Sequence, residues 1–175
     1  MNRRVFLLSA AFAASALVPA FAQSPVPPAG YTTPEAIVRW IYIQAVKPEK
    51  DGSQTGGTIF NKGGPSRRLF SSAFMRDWNV GQARIKKSGE MGLDFDPVSN
   101  SQDPAIGKVD IRVESETGGK ATVAATFGSL HEPKAKPTTV RYDFIRDDAG
   151  WRIDDIRGSV EKDPWSMRQI MKEWK

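Results

Sequence analysis

The hydrophobic pattern changes its period once along the chain. In the first half, apolar residues recur every three to four positions, which is typical of helices. Pro34 suits the first position of one such helix, which we expect to end near Val46. A second apolar stripe predicts a helix over Pro65–Trp78, and residues 80–90 continue as a helical or irregular stretch. From Lys108 onward apolar and polar residues alternate, which is typical of strands with one buried face.

The alternating half predicts a sheet. The four alternating stretches cover residues 108–114, 121–127, 140–144 and 151–156. They follow one another along the chain, mostly across short turns, so an antiparallel meander is the simplest topology. Asp163 and Pro164 then begin a final amphipathic helix. This order predicts an α+β fold, with N-terminal helices packed on a curved antiparallel sheet of about four strands and a C-terminal helix.

The first 22 residues predict a cleavable export signal. A basic start precedes an uncharged run over 5–20, and Ala20 and Ala22 occupy the two small positions that a signal peptidase recognises. Cleavage would leave Gln23 as the mature N-terminus and the protein in the periplasm. The alternative is a membrane anchor, but the run is shorter than the about 20 residues that a span needs. We therefore expect no membrane span after cleavage.

The export route stays open between two alternatives. Arg3 and Arg4, followed by Val5-Phe6-Leu7, fit the twin-arginine pattern, and they also fit the positive region of an ordinary secretory signal. Replacing both arginines with lysine separates the two routes. Ordinary secretion should continue, and twin-arginine export should stop.

Export would divide the chain into a signal peptide (1–22), a Pro-rich linker (23–31) and a single domain (32–175). Proline favours extended chain, so the linker is not expected to join the core. The mature chain keeps 175 − 22 = 153 residues, and its 25 − 2 = 23 basic and 20 acidic residues give a net charge of +3. The basic residues are scattered and form no stripe, so nucleic acid is not an expected partner.

Composition removes several kinds of chemistry. The chain contains no cysteine, which excludes disulfides, thiolate nucleophiles, cysteine-based zinc sites and cysteine-ligated iron–sulfur clusters. His131 is the one histidine; Glu132 follows it, but the second histidine of a zinc motif is missing. We expect no cofactor.

The first candidate site is acidic. Asp94 and Asp96 point to the same side of an extended chain, and Gln102 and Asp103 follow after a turn. Such carboxylates could bind a hard cation such as Ca²⁺ or contact an organic ligand. The alternative is that these side chains cap turns through backbone N–H groups.

The second candidate site lies on the last predicted strand. Strict alternation places Asp155 on the same face as Trp151 and Ile153, and Asp154 on the other face. A carboxylate on an apolar face needs hydrogen bonds, an ion pair or a cavity. Asp155 and Trp151 could therefore contact a ligand, and burial could make Asp155 a general base. The alternative is a structural aspartate bound to backbone or to an arginine.

Three segments resemble the bacterial secreted domain-of-unknown-function 3828 family. They are Leu69–Phe74, Leu93–Pro97 with Gln102-Asp103, and Gly150–Ile156. The resemblance covers about residues 33–173 and implies membership of the nuclear-transport-factor-2-like superfamily. It therefore implies a cone of helices against a strongly curved antiparallel sheet with a pocket inside. It implies no particular activity, because that superfamily includes both enzymes and binding domains.

Two functions follow from these observations. The first is a non-enzymatic domain that binds a small ligand or a periplasmic partner protein in or around the cone. The alternative is an acid–base enzyme, an isomerase, dehydratase or hydrolase, with Asp155 as base and Tyr142 as hydrogen-bond donor. A pocket holding both side chains would favour the enzyme, whereas an interior filled by aromatic rings would favour a protein-interaction module. A homodimer formed through the sheet face is a further alternative.

Overall fold

The computed structural model describes residue 27 and residues 29–48, 52–54, 58–60 and 64–174. The predicted signal peptide, its cleavage site between Ala22 and Gln23, and most of the Pro-rich linker lie outside these residues. Within the described part, no helix has the length and apolar character that crossing a membrane requires.

The chain has an α+β fold: among the described residues, two α-helices precede an antiparallel sheet and a third follows it. The described elements are α1 (Pro34–Ala45), a 3-10 turn (Thr58–Phe60), α2 (Ser72–Ser88), β1 (Ile106–Thr117), β2 (Lys120–Ser129), β3 (Thr138–Asp147), β4 (Gly150–Val160), β5 (Asp163–Ser166) and α3 (Met167–Glu173). The sheet order β1-β2-β3-β4-β5 confirms the antiparallel meander.

The two N-terminal helices differ in how well the sequence predicts them. Helix α1 begins and ends where expected, with the Thr33 hydroxyl accepting from the Ala36 N–H at 3.2 Å. The predicted bounds of the second helix are wrong. Ser71 caps its start by accepting from the Phe74 N–H, and the helix continues to Ser88, where Gly89 ends it at φ 74°. The stretch 80–90 is thus mostly helix, because it is rich in good helix formers.

The sheet has five strands, so the prediction of about four is wrong, as is the prediction of a helix beginning at Asp163. Glu161 and Lys162 make a two-residue turn, with Glu161 at φ 53°. This turn folds Asp163–Ser166 back onto residues 157–160 of β4. The C-terminal helix starts only at Met167, after Ser166 has capped it. The Asp-Pro pair therefore begins a short edge strand, where proline is tolerated.

One hydrophobic core joins all three helices to the sheet. Its largest fully buried side chains include aromatic and aliphatic residues from both halves of the chain: Tyr142, Phe70, Phe74, Phe144, Ile41, Ile59, Leu69 and Ile153. The rings of Phe70 and Phe74 stack with their centroids 4.4 Å apart. Tyr31, which the prediction assigned to the linker, is half-buried and packs against this core. Tyr31 therefore contributes to the core although it lies in the predicted linker.

A short segment before α2 extends the sheet beside β4. The Ser71 N–H donates to the Ile153 carbonyl, and the Ile153 N–H donates to the Leu69 carbonyl, both at 2.9 Å. This parallel bridge covers β4 at Ile153, while β5 covers it from Arg157 onward. The edge of β4 between them carries the Asp-Asp pair of the second candidate site.

Candidate functional site

The second candidate site is built on a β-bulge. Phe144 pairs with Ile153 and Asp143 pairs with Asp155, so Asp154 is an extra residue on β4. The extra residue shifts the alternation by one. Asp155 lies on the face opposite Ile153, and the prediction that the two share a face is wrong.

Three hydrogen bonds converge on the Asp155 carboxylate. One oxygen accepts from the backbone N–H groups of Ile156 (2.8 Å) and Arg168 (3.1 Å), and the other accepts from the Ser166 hydroxyl. Burial raises the pKa of the Asp155 carboxyl above its ordinary value, and these hydrogen bonds only partly oppose the rise. Asp155 therefore holds the first turn of α3 against β4.

Asp154 holds the start of α2 against β4 in the same way. One of its oxygens accepts from the Ser71 hydroxyl at 2.6 Å, and Ser71 is the N-cap of α2. The other oxygen accepts from the Arg168 guanidinium at 3.1 Å, and that guanidinium also contacts Asp77 of α2 at 2.8 Å. The two aspartates thus attach the N-termini of two helices to one bulge. These contacts favour the structural alternative for Asp155.

We expect Asp155→Asn to change how stability depends on pH. The folded chain binds a proton at Asp155 more readily than the unfolded chain, because burial raises the pKa of the folded carboxyl. That contribution is favourable below the ordinary pKa and is lost as the pH rises through the raised value. In denaturant titrations, the free energy of unfolding of the native protein minus that of the variant should therefore fall over the interval from about pH 4, the ordinary aspartate pKa, upward. A rise over this interval would contradict the assignment.

Tyr142 lies in the core rather than beside Asp155. It pairs with Ile156 on the inner face of the sheet, while Asp155 pairs with Asp143 on the outer face. Its hydroxyl donates to the Tyr42 hydroxyl at 3.4 Å, and Tyr42 donates to the Val98 carbonyl at 2.9 Å. Burial raises the pKa of both tyrosines. The proposed acid–base pair of Asp155 and Tyr142 is therefore not assembled.

Trp151 is separated from Asp155 as well. Its ring is buried on the inner face, and the Arg146 guanidinium lies over it at 5.9 Å. Its edge borders a groove of about 190 Å³ that Tyr31 and Arg68 also line. The structure thus places the two predicted ligand contacts of β4 in different surroundings.

The first candidate site does not assemble either. Asp96 caps a turn by accepting from the N–H groups of Val98 (3.0 Å) and Ser99 (3.1 Å), as the turn-capping alternative expects. Asp94 and Gln102 are exposed on the surface. In the described part of the chain, no three acidic or histidine side chains lie close enough to hold a metal ion.

Asp103 of this predicted set lines a cleft. Its carboxylate is 3.2 Å from His131 Nε2, across the open end of the hairpin formed by β1 and β2. The cleft has a volume of about 330 Å³ and lies between the turn after Asp96 and the connection from β2 to β3. It is lined by Ser99, Asn100, Ser101, Asp103, Ala105, Ile106, Phe127, Ser129, His131, Glu132, Ala135, Lys136 and Thr138.

Most of the residues that line this cleft were not predicted as site residues from the sequence. His131, Glu132 and Lys136 lie in a polar connection whose composition indicates only a loop. The pairing of Ile106 with Ser129 brings that connection beside Asp103. Extending the pairing of β1 with β2 beyond Ile106 and Ser129, at the end away from the turn, would have predicted that these residues lie beside Asp103.

Comparison with known proteins found no match among family models, curated proteins or solved structures. The resemblance to the bacterial secreted family therefore stays an expectation.

Proposed function

We propose that this chain is an exported, cone-like domain that acts without catalysis and binds a polar peptide segment of a partner protein in the cleft beside Asp103 and His131. The observation that carries the proposal is the cleft itself, whose walls come from two loops at one end of the sheet. Loops held by a rigid scaffold are the usual place for binding residues.

The interior offers a ligand little room. Tyr142, Phe70 and Phe74 fill the space between helices and sheet, and each is at most 1% exposed. An interior packed in this way directs binding to the surface. It also supports the protein-interaction alternative that the sequence analysis associated with a filled cone.

The cleft suits a peptide better than an enclosed small molecule. Small-molecule sites bury about 70–90% of their ligand and are mostly apolar. Here the connection over 131–137 is exposed throughout, so one wall of the cleft faces solvent. The large apolar side chains of the lining, Ile106 and Phe127, are only 2% and 4% exposed, and the other apolar residues there are alanines. A polar peptide lying across the cleft loses less binding free energy by remaining exposed to solvent, because its contacts are hydrogen bonds and ion pairs.

The chemistry of the lining indicates a segment with both signs of charge. Asp103 and Glu132 supply carboxylates, and Lys136 supplies an ammonium group. Serine and threonine hydroxyls lie between them and can donate or accept hydrogen bonds. Because opposite charges border one cleft, a purely acidic or purely basic peptide would meet repulsion on one side.

Filling the cleft tests the proposal. Ala135 lines it and is exposed, so Ala135→Trp should block the cleft without disturbing the core. Ala83→Trp on the exposed side of α2 is the matched control. In native mass spectra of protein purified from the periplasm, we expect a bound peptide or protein mass on the native chain and on Ala83→Trp, and none on Ala135→Trp.

The same spectra contain the contradicting results. A bound mass that persists on Ala135→Trp would exclude the cleft as the binding site. A bound mass of a few hundred daltons, lost from Ala135→Trp, would exclude the peptide and support a small ligand in the same place.

A further inference from the structure

Strand β1 forms an edge of the sheet and is paired on one side only. Strand β1 lies at one end of the sheet order and is 12 residues long. The side chain of Gln54 closes its first position, donating to the Ile106 carbonyl and accepting from the Ile106 N–H. From Gly107 to Thr117, no other segment of the described chain pairs with this edge.

A long unpaired edge is a template for another strand, and proteins usually protect such edges with charge. The charges on β1 alternate in sign along its outer face: Lys108, Asp110, Arg112 and Glu114. A run of one sign would repel every strand of the same sign, including another copy. An alternating run repels some alignments and attracts others, so it selects a register.

The alternation is antisymmetric about Ile111. In an antiparallel pair of two copies centred there, Asp110 lies opposite Arg112 of the second copy, and Lys108 lies opposite Glu114 of the second copy. Every charge on this face thus meets the opposite sign, and each contact occurs twice. On the inner face, the same register places Val109 opposite Val113 of the second copy.

The backbone pairing of β1 also indicates Ile111 as the centre of such a contact. The pairing of β1 with β2 shifts between Ile106 and Val109 and again between Val113 and Ser115. The regular stretch between the two shifts is Val109–Val113, whose middle residue is Ile111. Two copies can therefore pair over five regular residues before either bulge disturbs the ladder.

The side chains are available for this pairing. Asp110, Arg112 and Lys108 make no hydrogen bond or ion pair with any residue that the structure describes, and all three are exposed. Glu114 already forms a two-bonded ion pair with Arg141, at 2.9 and 3.0 Å. It would keep that pair and gain the ammonium of Lys108 from the second copy. On the inner side of the edge, Val113 is still 37% exposed and would be covered.

We infer that β1 is the dimer interface of this protein, and that a second copy pairs with it antiparallel across a two-fold axis at Ile111, joining the two sheets into one. Self-complementary contact of one patch with itself is the ordinary form of a two-fold dimer. This interface uses the sheet edge and not the sheet face named above as an alternative.

Charge reversal tests the pairing on the mature protein. Asp110→Arg would oppose Arg112 of the second copy, and like charges directly opposite are destabilising. We expect the native chain to sediment as a dimer and Asp110→Arg to weaken the dimer by about tenfold or more. Combining Asp110→Arg with Arg112→Asp restores opposite signs and should restore the dimer. Glu90→Arg, at an exposed position away from β1, makes the same change in net charge and should leave the dimer intact.

Single cysteines test the register, because the native chain has none. A cysteine in place of Ile111 would face its own copy and should form a disulfide-linked dimer on mild oxidation. Val113→Cys would lie about 13 Å from its own copy along the paired strands, too far for a disulfide. A monomeric native chain, a dimer insensitive to Asp110→Arg, or equal cross-linking of the two cysteine variants would each overturn the inference.

Discussion

Phe74→Ala should lower the free energy of unfolding by about 4 kcal/mol, the largest loss that we expect from any single change discussed here. Phe74 is 0% exposed and stacks on Phe70 at 4.4 Å between centroids. Phe60 packs on both rings, at 5.4 Å from Phe70 and 6.3 Å from Phe74. Removing the ring leaves a space that these neighbours cannot fill without moving the bridge between Phe70 and β4.

Urea titration of the purified protein measures this loss, and Met91→Ala is the matched control. Met91 is 85% exposed, so its truncation should change the free energy of unfolding by less than about 0.5 kcal/mol. A loss below about 1 kcal/mol for Phe74→Ala would mean that the interior collapses easily around the gap. Such a small loss would argue against a tightly filled interior. It would therefore weaken the reason for placing the binding site on the surface.

Asp154→Ala should lower the free energy of unfolding by about 2 kcal/mol, because it leaves the buried Ser71 hydroxyl without its acceptor and removes one of the two carboxylates that Arg168 contacts. The Ser71 hydroxyl and the Arg168 guanidinium both donate to this carboxylate. The Arg168 and Asp154 side chains are only 24% and 25% exposed, so solvent replaces the lost contacts poorly. The same change also removes the side-chain contact between the N-cap of α2 and the bulge, and leaves only the backbone bridge to Ile153 there.

Asp154→Asn and Asp94→Ala refine this second prediction. The asparagine keeps one acceptor oxygen but loses the charge that Arg168 faces, so we expect a loss of about 1 kcal/mol. Asp94 is exposed, and its truncation should have almost no effect. An Asp154→Ala chain as stable as the native one, but without the bound mass expected of the native chain, would show that the aspartate belongs to a binding site and would contradict the structural role.

Local patterns predicted much of the fold. The capping residues and apolar stripe of α1 are contiguous in sequence, so they fixed the helix to within a residue at each end. Alternation predicted the first four strands. In the β1–β2 turn, Gly118 and Gly119 both take positive φ, as a two-residue hairpin requires. Such signals depend on neighbours in the chain, which a single sequence contains.

The remaining features depend on tertiary contacts. The bulge at Asp154 lies where the segment before α2 and the start of α3 both bind β4. Its trace in the sequence is the spacing of Ile153 and Ile156, two buried residues three positions apart, which breaks the strict alternation. Strand β5 is too short to show a period and forms only because it folds back on β4. Gly81 interrupts the apolar stripe of α2. The Trp174 ring packs so close to the Gly81 backbone that a Cβ at this position would have no room. The error at Asp155 therefore came from applying strict alternation across a bulge.

In-cell photo-crosslinking tests the central claim most directly, namely that binding occurs in the cleft beside Asp103 and His131. A photoreactive benzophenone amino acid would replace His131 in the cleft or Arg76 on the exposed side of α2. The proposal predicts a discrete adduct from position 131, no adduct from position 76, and loss of the position-131 adduct when Ala135→Trp fills the cleft. An adduct that forms equally from position 76, or that survives Ala135→Trp, would contradict the claim.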